Sequence, residues 1–167
     1  QMSTNENNTY QVGGGTSAAS PGIAGVFAQL YQAWKETHGD SLAPAPLIKA
    51  AMLNSAEDIG NPGPDFTYGW GRVNAYRAIK VIENNTWTSG TIVNGVTNLH
   101  SINVPSGTTQ LRAMVYWADP GGTPLSAPEL VNNINIQVTD PSSVNWNPWI
   151  LDPTPNVANL TAPAVRG

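Results

Sequence analysis

Gly13-Gly14-Gly15-Thr16-Ser17-Ala18-Ala19-Ser20-Pro21 runs directly into Gly22-Ile23-Ala24-Gly25-Val26-Phe27-Ala28-Gln29-Leu30, a glycine turn that opens onto a helix of small and apolar residues. Consecutive glycines admit dihedrals closed to other residues. Ile23, Phe27, Leu30, Tyr31 and Trp34 then recur at helical spacing, which predicts a helix from about Ser17 or Ser20 to about Thr37. Ala24, Gly25 and Ala28 fall on its other faces and suit burial against a sheet on more than one side. Pro21 is expected in the first turn, where a missing N–H costs nothing, and Gly39 just past the helix end. A helix N-terminus carries unpaired N–H groups and the positive end of the macrodipole, so negative charge developing beside Ser17 is stabilised there. That is the requirement of a nucleophile attacking a carbonyl. The plain alternative for Ser17 is a helix-capping hydroxyl, and Ser20 reads as an ordinary buried or capping one.

Downstream, a second helix is predicted to open at Pro46, cover Leu47-Ile48-Lys49-Ala50-Ala51-Met52-Leu53 and stop near Asn54-Ser55. A Gly/Pro-rich loop from Asp58 to Asp65 leads to Tyr68-Gly69-Trp70-Gly71-Arg72-Val73-Asn74-Ala75. Asn74 is placed to cap a third helix from Ala75 to about Ile82.

The serine segment resembles the nucleophile signature of the subtilisin-like serine proteases (subtilases), Gly-Thr-Ser-x-Ala-x-Pro followed by a small-residue helix. With the later helices and the Tyr-Gly-Trp-Gly-Arg-Val-Asn-Ala turn, the likeness to the end of a subtilase catalytic domain spans roughly residues 9–82. Ala18 stands where the family often has Met, and Gly22-Ile23 where many members have His-Val; both read as packing variations. The resemblance implies that Ser17 is the nucleophile, that its N–H donates to the oxyanion, and that Thr16 and Gly15 shape and support the turn. It also implies a secreted endopeptidase acting on protein or peptide substrates.

A serine needs a base, and the base an orienting carboxylate. His38 lies at the far end of the serine helix, about 30 Å away at 1.5 Å per residue, and His100 reads as a surface strand residue. In subtilisin the triad runs Asp, His, Ser, so both partners are expected upstream, in the remainder of the catalytic domain. The second oxyanion donor, an Asn side chain in the family, is expected there too. The fragment is accordingly expected to be inactive alone. Two alternatives remain open. An α/β-hydrolase-type esterase would use Asp58 or Asp65 and then His100, although Gly15-Thr16-Ser17-Ala18-Ala19 lacks the final glycine of that elbow. A non-catalytic module, or a cleaved segment docked on the rest of a protease, is the other.

After Asn84 helical periodicity stops and β-branched runs alternate with turn residues. Leu99–Val104 ends at a Pro105-Ser106-Gly107 turn, Gln110–Trp117 reads as a strand with Leu111, Ala113, Val115 and Trp117 on one face, and Asn133–Thr139 as another with Ile134, Ile136 and Val138 on one side. The expected fold class is therefore α/β, an incomplete subtilisin-like catalytic domain over 1–84, followed by an all-β antiparallel sandwich over 85–167. The second part looks like the jelly roll of some secreted subtilases. Only about four strands can be found where a jelly roll has about eight, so it is expected to be truncated, as is the start of the chain at Gln1.

Seven basic residues scattered singly give no nucleic-acid footprint, and no run of about 18 apolar residues offers a membrane span. The absence of cysteine excludes disulfides and thiolate zinc sites. No cofactor is expected. Structural calcium is known in relatives of the second part, but Asn132-Asn133-Ile134-Asn135-Ile136 has Asn in both places where relatives carry Asp, and hard cations prefer charged oxygens. Asp119 and Asp140 read as turn-capping residues, as do Asp58 and Asp65. Trp70, Trp87, Trp117, Trp146 and Trp149 are expected mostly in cores or interfaces. Asn7-Asn8-Thr9, Asn84-Asn85-Thr86 and Asn159-Leu160-Thr161 match the glycosylation sequon, a match that an Asn-rich chain produces by chance.

Overall fold

The computed structural model describes residues 2–5, 9–125, 127 and 130–167; Gln1 and the Asn7-Asn8 sequon lie outside the described residues. An N-terminal antiparallel pair, β1 (Met2–Asn5) and β2 (Thr9–Val12), is registered Met2 to Val12 and Asn5 to Thr9. Three helices follow: α1 (Thr16–Thr37), α2 (Ala45–Ser55) and α3 (Ala75–Glu83). Two more two-residue ladders close the chain, β3 (Val138–Thr139) with β4 (Asn145–Trp146), and β5 (Trp149–Ile150) with β6 (Val165–Arg166).

The helices form because each sequence carries its own start and stop. Asn74 accepts the Arg77 N–H at 2.9 Å and caps α3, as its position predicts. At the end of α1 the chain turns left-handed at Gly39 (φ 68°), and the Asp40 N–H bonds back to Lys35 O at 3.1 Å, a Schellman closure. Pro21 departs from expectation. Since α1 already begins at Thr16, the proline is its sixth residue, inside the helix, and cannot supply the N–H that the Ser17 carbonyl would otherwise receive.

Leu30 and Trp34 of α1, Ile48 of α2, and Ala78 and Ile82 of α3 form the core, with Phe27, Leu47, Ile79 and Trp87 packed around it. Full burial of a side chain the size of Leu30, Ile48 or Ile82 is worth about 1.5–3 kcal/mol. His38 latches the same corner. Its ring stacks on Trp34 with centroids 3.8 Å apart, and its Nε2 lies 3.0 Å from Asn85 Oδ1 beyond α3. Burial of α1 is confined to this end. Ala24, Gly25 and Ala28, expected against a sheet, are exposed, because α3 and α2 cover only the C-terminal half of α1.

A compact turn joins α2 to α3. Glu57 and Arg72 exchange both backbone hydrogen bonds at 2.8 Å, and Arg72 pairs with the Glu57 carboxylate, whose Oε1 also accepts from Asn74 Nδ2 at 2.8 Å. Gly71 (φ 97°) passes so close to the Glu57 carbonyl that a Cβ there would overlap it. Asp65, 3% exposed, holds the loop by its own oxygens, accepting from Tyr68 N at 2.6 Å, Thr67 N at 2.9 Å and Asn61 N at 3.2 Å. The Tyr68 N–H bond is the largest influence keeping its carboxyl below the ordinary 3.8.

The all-β sandwich expected over 85–167 is not assembled among the described residues. Residues 110–117 join no ladder, and in 133–139 only Val138–Thr139 pairs. A strand persists only where a neighbouring edge takes its N–H and C=O groups. Around Arg112 one such carbonyl turns to the end of α2 instead: Asn54 Nδ2 donates to Arg112 O at 3.2 Å, and the Arg112 side chain donates from Nη1 to Ala56 O. The alternation itself survives, with Ile134, Ile136 and Val138 half-buried and Asn133, Asn135 and Gln137 exposed. Trp87 and Trp117 are half-buried as expected, whereas Trp70 and Trp146 are about half exposed (49% and 48%).

Truncating the core should be costly. Ile82→Ala is expected to lower the unfolding free energy by about 2–5 kcal/mol, and Leu42→Ala, on an exposed link, by under about 0.5 kcal/mol, both read from urea midpoints. Asp65 adds a pH dependence. Its folded pKa is depressed, so its contribution is present above the ordinary carboxylate range and is lost as pH falls through the folded value. Asp65→Asn should therefore destabilise the fold at neutral pH and flatten the acid limb of the stability curve below about pH 4, measured by denaturation across pH 2–7.

Candidate active site

The three residues singled out by the sequence come together at the start of α1. Gly15 is the N-cap, with φ 128° and ψ 173°. A Cβ there would meet open space, so glycine is required for the dihedral and not for room. Thr16 is the first helical residue and Ser17 the second, both exposed. The Ala18 and Ala19 N–H groups both bond to Gly15 O, at 3.0 and 3.1 Å. The Thr16 and Ser17 N–H groups precede them and take no backbone acceptor among the described residues.

Ser17 does not cap the helix. The N-cap is Gly15, and no side chain bonds to the exposed end. No acidic residue occupies the first turn of α1, where a carboxylate would offset the positive end of the dipole. The arrangement is a hydroxyl in solvent beside two N–H groups that take no backbone acceptor among the described residues, chemically suited to hold a developing oxyanion. Pro21 adds a feature that the sequence reading misplaced. The Ser17 carbonyl, lacking its helical donor, is free to face another partner. The signal was the spacing: a proline four residues after a serine that is already helical.

Neither histidine joins this group. His38 sits at the opposite end of α1, about 30 Å away at 1.5 Å per residue, stacked on Trp34. Its latch to Asn85 was missed, although the i, i+4 placement of Trp34 and His38 signals the stacking. His100 is exposed on a stretch without helix or strand and bonds to nothing among the described residues. The carboxylates are committed elsewhere. Asp58 accepts from Gly63 N at 2.8 Å, and Asp65 is bound as described above. An esterase order of Ser17, Asp58 or Asp65, and His100 therefore has no assembled geometry.

Among the described residues no cluster of three or more His, Cys, Asp or Glu is placed to hold a metal ion, and two carboxylates of the second part are engaged by hydrogen-bond donors. Asp119 turns its oxygens toward Val131 N at 2.8 Å, Asn132 N at 3.0 Å and Asn132 Nδ2 at 2.8 Å, donors of the wrong sign beside a cation, and Asn133 and Asn135 bring no charge. Asp140 likewise accepts from Val144 N at 3.0 Å and Ser142 N at 2.9 Å, and is held below the ordinary carboxylate range first by the Val144 bond.

An apolar hollow of about 210 Å³ lies further along the serine helix, lined by Ile23, Met52, Leu53, Ala56, Trp70 and Val73. Ile23 is six residues past Ser17, about 9 Å along the axis. No helix among the described residues is long and apolar enough to cross a membrane.

Comparison with known proteins bears on the same region. The subtilase family model matches residues 1–71. An extracellular serine protease of Serratia marcescens is 40% identical over 65 residues, which is 39% of this chain. The chain spans only 6% of that protein's length. No solved structure matches. Helices over mixed sequence with small antiparallel sheets are compatible with part of a subtilase domain, and the matched stretch holds the whole Gly15–Ser17 junction, α2 and the turn through Gly71. Residues 1–71 are thus similar to a stretch of the subtilisin-like serine proteases.

Proposed function

We propose that the chain supplies the nucleophile-bearing end of the catalytic domain (1–84) of a secreted subtilisin-like serine endopeptidase, followed by the first part of a β-rich domain (85–167). Ser17 is the nucleophile. Its support is the exposed hydroxyl on the first turn of α1, inside the Gly-Thr-Ser-x-Ala-x-Pro signature and beside N–H groups that take no backbone acceptor among the described residues. That one observation carries the reading. The family match over residues 1–71 and the extracellular relative support the reaction class and secretion.

In this reading Ser17 Oγ attacks the scissile carbonyl of a protein or peptide while a histidine outside residues 1–167 accepts its proton. That histidine, oriented by an aspartate also outside these residues, is required because His38 and His100 are both placed away from Ser17. Negative charge moves onto the carbonyl oxygen, which the Ser17 N–H and the helix dipole stabilise. One such donor is worth roughly 10²–10³ in rate. The amine leaves with the proton, an acyl-enzyme on Ser17 remains, and water releases it. Gly15 serves by holding the dihedral that frees the helix end, and Thr16 by continuing the turn. No cofactor takes part, and residues 1–167 alone are inactive.

The test is covalent labelling of the full-length protein with a fluorophosphonate, followed by peptide mapping. The label should fall on the peptide containing Ser17. Ser17→Ala should abolish labelling and reduce kcat by roughly 10⁶, with the fold unchanged by circular dichroism. A label on another serine, or full activity in the variant, sinks the assignment.

A further inference from the structure

We propose that Leu99-His100-Ser101-Ile102-Asn103-Val104 is a proteolytic processing segment, and that the two pieces left by the cut remain docked as one molecule. An endopeptidase takes its substrate extended, so the segment to be cut must first give up its own backbone bonds and shelter. Here there is nothing to give up. All six residues are exposed, they form neither helix nor strand, and they make no hydrogen bond among the described residues. The run contains neither Gly nor Pro. Leu99 and Ile102 (91% and 63% exposed) present apolar side chains to a specificity pocket.

The competing positions are each held. Leu125 is more exposed still, but it sits after Pro124 with φ 64° and must leave a turn before it can extend. Leu42 lies in the short link between α1 and α2, beside Ser41, whose hydroxyl donates to His38 O and accepts from Trp34 Nε1, both at 3.0 Å. Tyr10 and Val12 are in the β2 ladder. Within the surrounding stretch, Asn98 donates to Thr91 O at 3.0 Å, and Thr108 N to Pro105 O at 3.2 Å, so the unbonded run ends at both sides.

The reaction is hydrolysis and needs only water besides the protease. Hydroxide from water joins the carbonyl carbon of Leu99, the C–N bond to His100 breaks, and the leaving nitrogen takes the proton. The contacts that tie the later residues to the helices all lie outside the cut. They are Arg112 on Ala56 O, Asn54 on Arg112 O, Lys49 Nζ at 5.0 Å over the Tyr116 ring, Asn61 Nδ2 on Thr161 O at 2.9 Å, and Thr67 Oγ1 on Leu160 O at 3.1 Å. Trp149 also covers Gly63, where a Cβ would come within 2.8 Å of the indole.

The proposal is independent of the role of Ser17 and is tested without it. Full-length Ser17→Ala protein is treated briefly with a broad-specificity serine endopeptidase. New termini are mapped by mass spectrometry, and the products are run on size-exclusion chromatography under native conditions. The first cut within residues 1–167 should fall in 99–104, led by the Leu99–His100 bond, and both pieces should co-elute. In a Leu99→Pro/Ile102→Pro variant that cut should slow by at least about tenfold. A first cut at Tyr10–Val12, Leu42 or Leu125, or no cut, overturns the site. Separation of the pieces overturns the docked product.

Discussion

Leu30 and Trp34 set against Ala78 and Ile82 are the contact on which everything else depends. It buries the C-terminal half of a 22-residue helix and leaves the first two turns, Thr16–Gly22, largely exposed. The junction at Gly15–Ser17 is then a consequence of geometry at a distance. The helix is rigid and anchored at one end, so its first turn is held in place without being covered. A reactive hydroxyl needs this combination of a fixed backbone and an open approach. Residues of α1 that look like core by composition are exposed because the burying surface reaches only as far as α3 does.

The turn between α2 and α3 is a second, smaller device of the same kind. Glu57 meets Arg72 through the backbone and again through the side chains, and Asn74 bonds Glu57 while capping α3. Its pKa is lowered first by the Arg72 hydrogen bond and then by that from Asn74. One carboxylate therefore fixes the end of one helix to the start of the next. Exposed ion pairs are worth little singly. Here the backbone bridge and the close pass of Gly71 fix the geometry, so the ion pair need not order the side chains alone.

The helices were legible because their information is local. The apolar stripe of α1, the Asn74 cap, Pro46 near the start of α2 and Gly39 past the end of α1 all act within a few residues. The placement of Ser17 at a helix start was legible for the same reason, as part of one contiguous stretch. What escaped was non-local or depended on register. Placing Pro21 beyond the first turn required knowing that the helix starts at Thr16 and not at Ser20. The His38–Asn85 and Glu57–Arg72 pairs join residues 47 and 15 positions apart. For residues 110–117 the face read from the sequence is not the covered one, since Leu111 and Ala113 are exposed while Arg112, Met114 and Tyr116 are half-buried. Whether a strand exists is decided by an edge to pair with, and at Arg112 the end of α2 takes its place.

This difference in how the two parts are held orders their stabilities. The helical part is joined by fully buried apolar side chains, the later part by side chains reaching backbone carbonyls across largely exposed surface. A neutral hydrogen bond of the second kind contributes about 0.5–1.5 kcal/mol, and one from a charged group such as Arg112 about 1.5–3 kcal/mol, less where water competes for it. Individual contacts from Arg112, Asn61 and Thr67 can therefore open without disturbing Leu30 or Ile82, and they close again because they are several and widely spaced. Lifting the later residues from the helices should be a cheaper excursion than parting the helices themselves. The exposed run at 99–104, tied to neither set of contacts, would bend or open first. Of the later residues, Asn85 and Trp87 stay with the helices, Asn85 on His38 and Trp87 half-buried against the central cluster, so that motion belongs to the residues beyond them.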